Sequence, residues 1–394
     1  MRDAYIVSSV RTPGCKNRRG AFRETRPEDL LSHIMKASAE KISLDPKEID
    51  DCMIGCAFPE GEQGINIGRI AARMAGFPNS VSGATVNRFC SSGLEAIALA
   101  SLRVQAGWSD VTLGGGIESM SYVPMGGNTP RPHPEFAKTN AEAYISMGVT
   151  AENVADWYKV DRKTMDEFAA NTHAKAVNAQ KNGWFTEIVP TPATYYIKQP
   201  DGTYNKETKM IDADDGVREG TTADGIAKLG SPFKAGGAVT AANSSQTTDG
   251  AAATIVASKE ACDRLGLKPV AKIVSYAVAG CKSEEMGVGP KYAIPKVLEN
   301  AGMKIEDIDL FEINEAFASQ AIHCCQELGL WGTPAMDKVN VCGGAIALGH
   351  PLGCTGAKLT ATLLAQLERT GGKYGIVSMC IGGGMGAAAI FERM

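Results

Sequence analysis

The chain has 394 residues, 44% of them hydrophobic and 21% charged, with a formal net charge of −4. That length exceeds one ordinary core and predicts two or three subdomains, while a mixed, slightly acidic balance excludes a nucleic-acid partner or a polybasic membrane surface. Eleven scattered cysteines, an opening AYIVSSVRTPG that reads as strand rather than leader, and an ending FERM that carries no targeting tripeptide predict a cytoplasmic protein with free thiols. Apolar runs are too short for a membrane span, so the chain is not expected to be transmembrane.

Strand-like and helical patterns alternate. AYIVSSV is followed by a helix opened by Pro27, with Glu28 and Asp29 in a first turn whose positive end favours acids. Next come the strands DCMIGCAF and ATVNRF, a helix from Leu94 to Ala106 closed by Gly107, and the strand DVTLGGG. This is an α/β layer pattern.

Roughly residues 119–245 differ, with PMGGNTPRPHPEF, a Pro200-Asp201-Gly202 turn and polar, glycine-rich text. One helix is predicted there, Asp161 to Asn182, with Met165, Phe168, Ala169 and Ala176 on one face and Gly183 as terminator. The last third repeats the first. AKIVSYAVAG echoes AYIVSSVRTPG, IEDIDLFEINEAFA lines up with PKEIDDCMIGCAF, LGCTGAKLTATLLAQL parallels FCSSGLEAIALASL, and KYGIVSMCIGGG parallels SDVTLGGG. The expected division is therefore an α/β half from 1–118 plus about 246–268, an inserted lobe from 119–245, and a second half from 269–394.

Three remote segments carry the chemistry. Cys90 lies between a strand and a helix start, where the dipole and unpaired N–H groups favour a thiolate, and Ser91, Ser92 and Gly93 leave the sulfur reachable. His350 is one of five histidines and the one set in a glycine-dense loop, GGAIALGHPLG. Cys380 ends an apolar strand before Gly382, Gly383 and Gly384, whose N–H groups can form an oxyanion hole. A dinucleotide fingerprint beginning at Gly384 is excluded, since too little chain follows Gly386 for the required helix and second strand. Asn314 in INEAFA either orients a water or carbonyl or is an ordinary helix N-cap, and spacing favours the cap. No cysteine pair shows metal-ligand spacing, so no metal site is expected.

VNRFCSSGLEA, NEAFA, GGAIALGHPLG and CIGGGMG, in that order, resemble the four signature segments of the thiolase family, and the similarity runs from Arg11 to the C-terminus. The resemblance implies two duplicated layered α/β halves, a five-layer αβαβα arrangement, with an inserted loop domain. It implies an acyltransferase that uses coenzyme A thioesters, with coenzyme A as substrate and no cofactor. Carried over by similarity, Cys90 is the nucleophile that becomes acylated, His350 takes its proton, and Cys380 is a second acid/base. Asn314 holds a water, and Gly382 supplies a backbone oxyanion donor. Met147, Arg218, Phe233, Ser245, Met286, Ala316 and Phe317 match positions lining the coenzyme A channel.

Ser146-Met147-Gly148 stands where members favouring acetoacetyl-CoA have His-Met-Gly, and PEGEQGINIGRIAARMAG is similar to the degradative branch. The expected activity is accordingly 3-ketoacyl-CoA thiolysis in fatty-acid β-oxidation. The alternatives are a thiolase confined to acetoacetyl-CoA and a non-catalytic binding member of the family. A homodimer or dimer of dimers is implied, with a complex with the β-oxidation hydratase and dehydrogenase as a further expected partnership.

Overall fold

The computed structural model describes residues 2–394. Its strands are β1 (Ala4–Arg11), β2 (Cys15–Lys16), β3 (Asp51–Gly55), β4 (Ser82–Val86), β5 (Val111–Ser119), β6 (Thr191–Lys198), β7 (Tyr204–Ile211), β8 (Thr248–Ser258), β9 (Ala271–Gly280), β10 (Leu310–Ile313), β11 (Tyr374–Ile381) and β12 (Met385–Arg393). Strands β6 and β7 form a hairpin around the Pro200-Asp201-Gly202 turn, and the others form one sheet in the order β10-β11-β12-β9-β1-β8-β5-β3-β4, with β2 beside β8.

The internal repeat is visible in the pairing. β3 runs parallel to β5, β5 antiparallel to β8, and β8 antiparallel to β1. β10 likewise runs parallel to β11, β11 antiparallel to β12, and β12 antiparallel to β9. Where the first set adds β4 beside β3, the second has the single bridge Phe311–Val339 beside β10. The two sets join where Tyr5 pairs with Lys272 and Ile6 with Ala271.

Apolar side chains on both faces of these strands require cover on both sides, and the helices supply it in five layers. An outer core packs helix Pro27–Glu40, through Leu30, Leu31, Ile34 and Met35, and helix Ile67–Met74 on the first set of strands. Helix Gly289–Ala301 does the same for the second set through Ala293, Ile294 and Val297. Helices Ser92–Gln105 and Thr355–Thr370 lie between the two sets, where Leu94, Ala100, Leu359, Leu363 and Leu367 share one core. Gly93 and Gly356 allow their close crossing: a Cβ on Gly93 would lie 2.8 Å from the Ala357 nitrogen, and one on Gly356 would strike the Leu94 backbone. This crossing brings together the two segments that follow Cys90 and His350.

Two boundaries differ from expectation. The strand over ATVNRF ends at Val86, and the helix begins at Ser92 rather than Leu94, because the chain turns sharply between them. Phe89 takes a left-handed φ of +44°, and Phe89–Ser91 forms a short 3₁₀ turn.

Candidate active site

Cys90 sits in that turn, buried against Ala57, Met120 and Leu352. A bulky residue at positive φ is strained, and here Ser92 holds the turn closed by donating its hydroxyl to Phe89 O at 2.7 Å while accepting from Arg88 N–H at 2.9 Å. Backbone hydrogen bonding from Gly382 and from Cys90 itself acts on the sulfur in the direction of a thiolate. The expected acidic thiol is nevertheless absent: burial outweighs these donors, Glu118 adds a repulsive charge, and the Cys90 thiol is pushed up to about 11. A helix start favours a thiolate only where the sulfur stays solvated, and this one is enclosed.

His350 is fixed at both backbone and ring. Its N–H is shared between Gln246 O and Thr248 Oγ1, each at 3.0 Å. Nδ1 lies 2.5 Å from Thr355 Oγ1, and that hydroxyl lies 3.0 Å from Pro351 O. A hydroxyl has one proton, so donating to the carbonyl makes it the acceptor of Nδ1–H and leaves the lone pair on Nε2. Asn314 Nδ2 faces that lone pair at 3.4 Å. Burial and the nearby Lys358 ammonium push His350 down to about 3, so the ring is neutral.

Asn314 is not the helix cap that spacing favoured. The helix begins at Ala318 with Phe317 in the cap position, whereas Asn314 is buried just past β10 with its Oδ1 unpaired among the described residues. A buried acceptor without a partner is costly and points to a role with a ligand or water. Cys380 is fully buried in β11, and burial together with the thiols of Cys90, Cys324 and Cys281 raises it well above the ordinary thiol range. At Gly382, two positions on, an added Cβ would meet only ordinary contacts, with Met147 and Phe89 nearest.

The seven channel candidates follow one path. Met147, Met286, Ala316 and Phe317 share an apolar cluster with Cys380. Phe233 meets Phe317 edge to face at 6.2 Å, and Ser245 N–H donates to Ala316 O at 2.9 Å. Gly148 is required here, because a Cβ would collide with the Phe233 ring. Farther out, Phe233, Ser245 and Arg218 line an open groove with Lys16, Arg18 and Arg19. Burial and the Arg218 charge lower Lys16, and Arg218 N–H donates to His173 Nδ1 at 3.2 Å. Four cations in one groove repel each other unless an anion lies among them.

Sequence reading missed Thr355, Thr248 and Glu118. Thr355 lies five residues past His350, on the next turn of chain, which is the one local signal available. Glu118 is buried in the glycine-rich β5, where no spacing rule marks it. Among the described residues no cluster of metal-ligating side chains occurs, and no helix is long and apolar enough to cross a membrane.

Comparison with known proteins agrees with this fold. Residues 4–260 match the family described as "Thiolase, N-terminal domain", and residues 267–393 match "Thiolase, C-terminal domain". The chain is 48% identical over 393 residues to the 3-ketoacyl-CoA thiolase of Bacillus subtilis (strain 168), covering 100% of both chains. It is 45% identical over 394 residues to the peroxisomal 3-ketoacyl-CoA thiolase A of Mus musculus, covering 99% of this chain and 91% of that one. The crystal structure of the Bacillus anthracis acetyl-CoA acetyltransferase superposes with a TM-score of 0.89 at 36% identity, covering 100% of this chain and 99% of that one. That of the dimeric peroxisomal thiolase of Saccharomyces cerevisiae does so with a TM-score of 0.88 at 38% identity, covering 100% and 98%. The chain belongs to the thiolase family.

Proposed function

We propose that this chain is a 3-ketoacyl-CoA thiolase, which cleaves a 3-ketoacyl-CoA with a second coenzyme A into acyl-CoA and acetyl-CoA, by the chemistry of fatty-acid β-oxidation. The observation that carries the reading is the buried pair of thiols, Cys90 and Cys380, close enough for the one to raise the proton affinity of the other. Full-length identity to 3-ketoacyl-CoA thiolases supports the substrate class.

The reaction divides into two transfers. His350 accepts the Cys90 proton at Nε2 as the sulfur adds to the 3-keto carbon. The N–H groups of Cys90 and Gly382 stabilise the charge on that oxygen. The C2–C3 bond then breaks, its electron pair passes to the departing acetyl-CoA as an enolate, and the Cys380 thiol protonates C2. Asn314 and His350, with a water held between them, stabilise the enolate oxygen. In the second half Cys380 takes the proton of incoming coenzyme A, whose sulfur attacks the acyl-Cys90 thioester, and His350 returns its proton to Cys90. Both thiols rest protonated, as their raised proton affinities favour. Proton transfer from Cys90 to His350 is therefore coupled to C–S bond formation rather than completed beforehand.

Coenzyme A enters as a substrate through the groove. Its phosphates fit the cations Lys16, Arg18, Arg19 and Arg218, and its pantetheine arm runs past Phe233, Ser245, Ala316 and Phe317 toward Met147, Met286 and the two sulfurs. Within this reading residues 1–118 with about 246–268 form one half, 119–245 the lobe that covers the substrate, and 269–394 the other half. A cytoplasmic homodimer belongs to the same reading; β4 pairs with β3 on one side only and leaves a free sheet edge.

The test is a thiolysis assay over 3-ketoacyl-CoA chain lengths from four carbons upward. Turnover that extends to long chains is expected. Strict confinement to acetoacetyl-CoA would replace this reading with the short-chain one, and no turnover at any length would reject both.

A further inference from the structure

Glu118 is a buried carboxylate that the reaction above does not use. It stands near the end of β5 with no solvent exposure. Oε2 accepts from Ala57 N–H and from Gly353 N–H, each at 2.8 Å, and Oε1 accepts from Gln63 Nε2 at 2.7 Å, with Cys56 Sγ at 3.9 Å. Gln63 in turn accepts Ser119 N–H on its Oε1 at 2.5 Å, so the amide and the acid brace each other. The three segments held are distinct. Ala57 follows β3, Gln63 belongs to the turn Gly61–Gln63, and Gly353 lies three residues past His350 in the opposite half of the molecule.

Ala57, itself one of these donors, and Leu352, next to the other at Gly353, are two of the residues packed with Cys90. We propose that Glu118 is a positioning residue for acyl transfer: its carboxylate clamps the His350 loop to the wall of the Cys90 pocket and places a negative charge within reach of the thiol. The proposal rests on the thiolase reading above. Burying a carboxylate is costly, and an apolar residue could fill the same space without orienting two backbone N–H groups from opposite halves.

The charges around the pair are few. Cys90 faces Glu118 from β5 and Cys380 from β11; Glu118 itself faces Cys56 and, behind the loop, Cys354; His350 has Lys358 behind it, whose Nζ lies 3.5 Å from Gly349 O. The anion sits on the thiol side and the cation on the imidazole side. Both oppose a resting thiolate–imidazolium pair, which keeps the sulfur protonated until substrate arrives.

The test compares full-length wild type, Glu118→Gln and Glu118→Asp in three measurements: steady-state thiolysis, the pH midpoint of Cys90 alkylation by iodoacetamide read on its own peptide by mass spectrometry, and thermal melting. Glu118→Gln is expected to lower kcat about 10- to 100-fold with KM changed less than about threefold, and to move the alkylation midpoint to lower pH, since the repulsive charge is gone. Glu118→Asp keeps the charge and loses reach, so kcat falls while the midpoint stays nearer wild type. A purely structural role would lower melting and leave the midpoint in place, and that result overturns the proposal, as does wild-type kcat in both variants. Should Glu118→Gln fail to fold, Glu118→Asp and Gln63→Met carry the comparison: kcat lower by about threefold or more in each is expected, and wild-type kcat in both overturns it. Wild-type protein without any thiolysis refutes the thiolase reading instead, and the alkylation midpoint still reports on Glu118.

Discussion

His350 Nδ1 lies 2.5 Å from Thr355 Oγ1, and this contact decides which face of the imidazole can accept a proton. Because the threonine hydroxyl donates to Pro351 O, it fixes the ring tautomer and orientation together. Thr355→Val is expected to lower kcat about 10- to 100-fold with little change in KM, while Thr355→Ser, which keeps the hydroxyl, recovers most of it. Steady-state kinetics of the two variants check this, and equal losses in both would argue that packing rather than the hydroxyl is at work.

Neutral buried histidines make the fold sensitive to mild acid. His350 is pushed down to about 3 by burial and Lys358, and His173 to about 4 by burial, Arg218 and Lys16. Below the ordinary histidine value near 6.5 the unfolded chain binds protons on these rings and the folded chain does not. Their contribution is therefore full above about pH 6.5 and is lost as pH falls toward 4, at up to about 1.4 kcal/mol per unit for each ring. Urea melts at pH 7, 6 and 5 are expected to show falling midpoints, with a shallower fall in His350→Gln.

The cationic groove makes coenzyme A affinity depend on salt. Arg218→Gln is expected to raise KM for coenzyme A about three- to tenfold with kcat retained, and added NaCl to raise KM more steeply in wild type than in the variant. Parallel salt dependence in both proteins would remove Arg218 from the phosphate contacts.

The fold was legible, and the candidate site residues could be picked out, because both are written locally. The repeat shows as matching strand and helix segments, and Cys90, His350 and Cys380 each stand in a short glycine-rich motif. What was misread depends on enclosure. The helix start beside Cys90 suggested an acidic thiol, but Ala57, Met120 and Leu352 from three other segments shut out the water that would sustain it. Asn314 looked like a helix cap because nothing in INEAFA says that the helix waits until Ala318 to begin. Glu118 and Thr355 escaped notice because their partners are mainly backbone groups and a ring nitrogen, which carry no mark in a sequence.

The central claim is that Cys90 carries the acyl group between the two halves of the reaction. Incubation with an acyl-CoA in the absence of free coenzyme A, followed by digestion and mass spectrometry, is expected to place the acyl mass on the Cys90 peptide in wild type and to find none in Cys90→Ala. Adding coenzyme A should then release the label as acyl-CoA. An acyl group found on another cysteine, or retained in Cys90→Ala, would contradict the account.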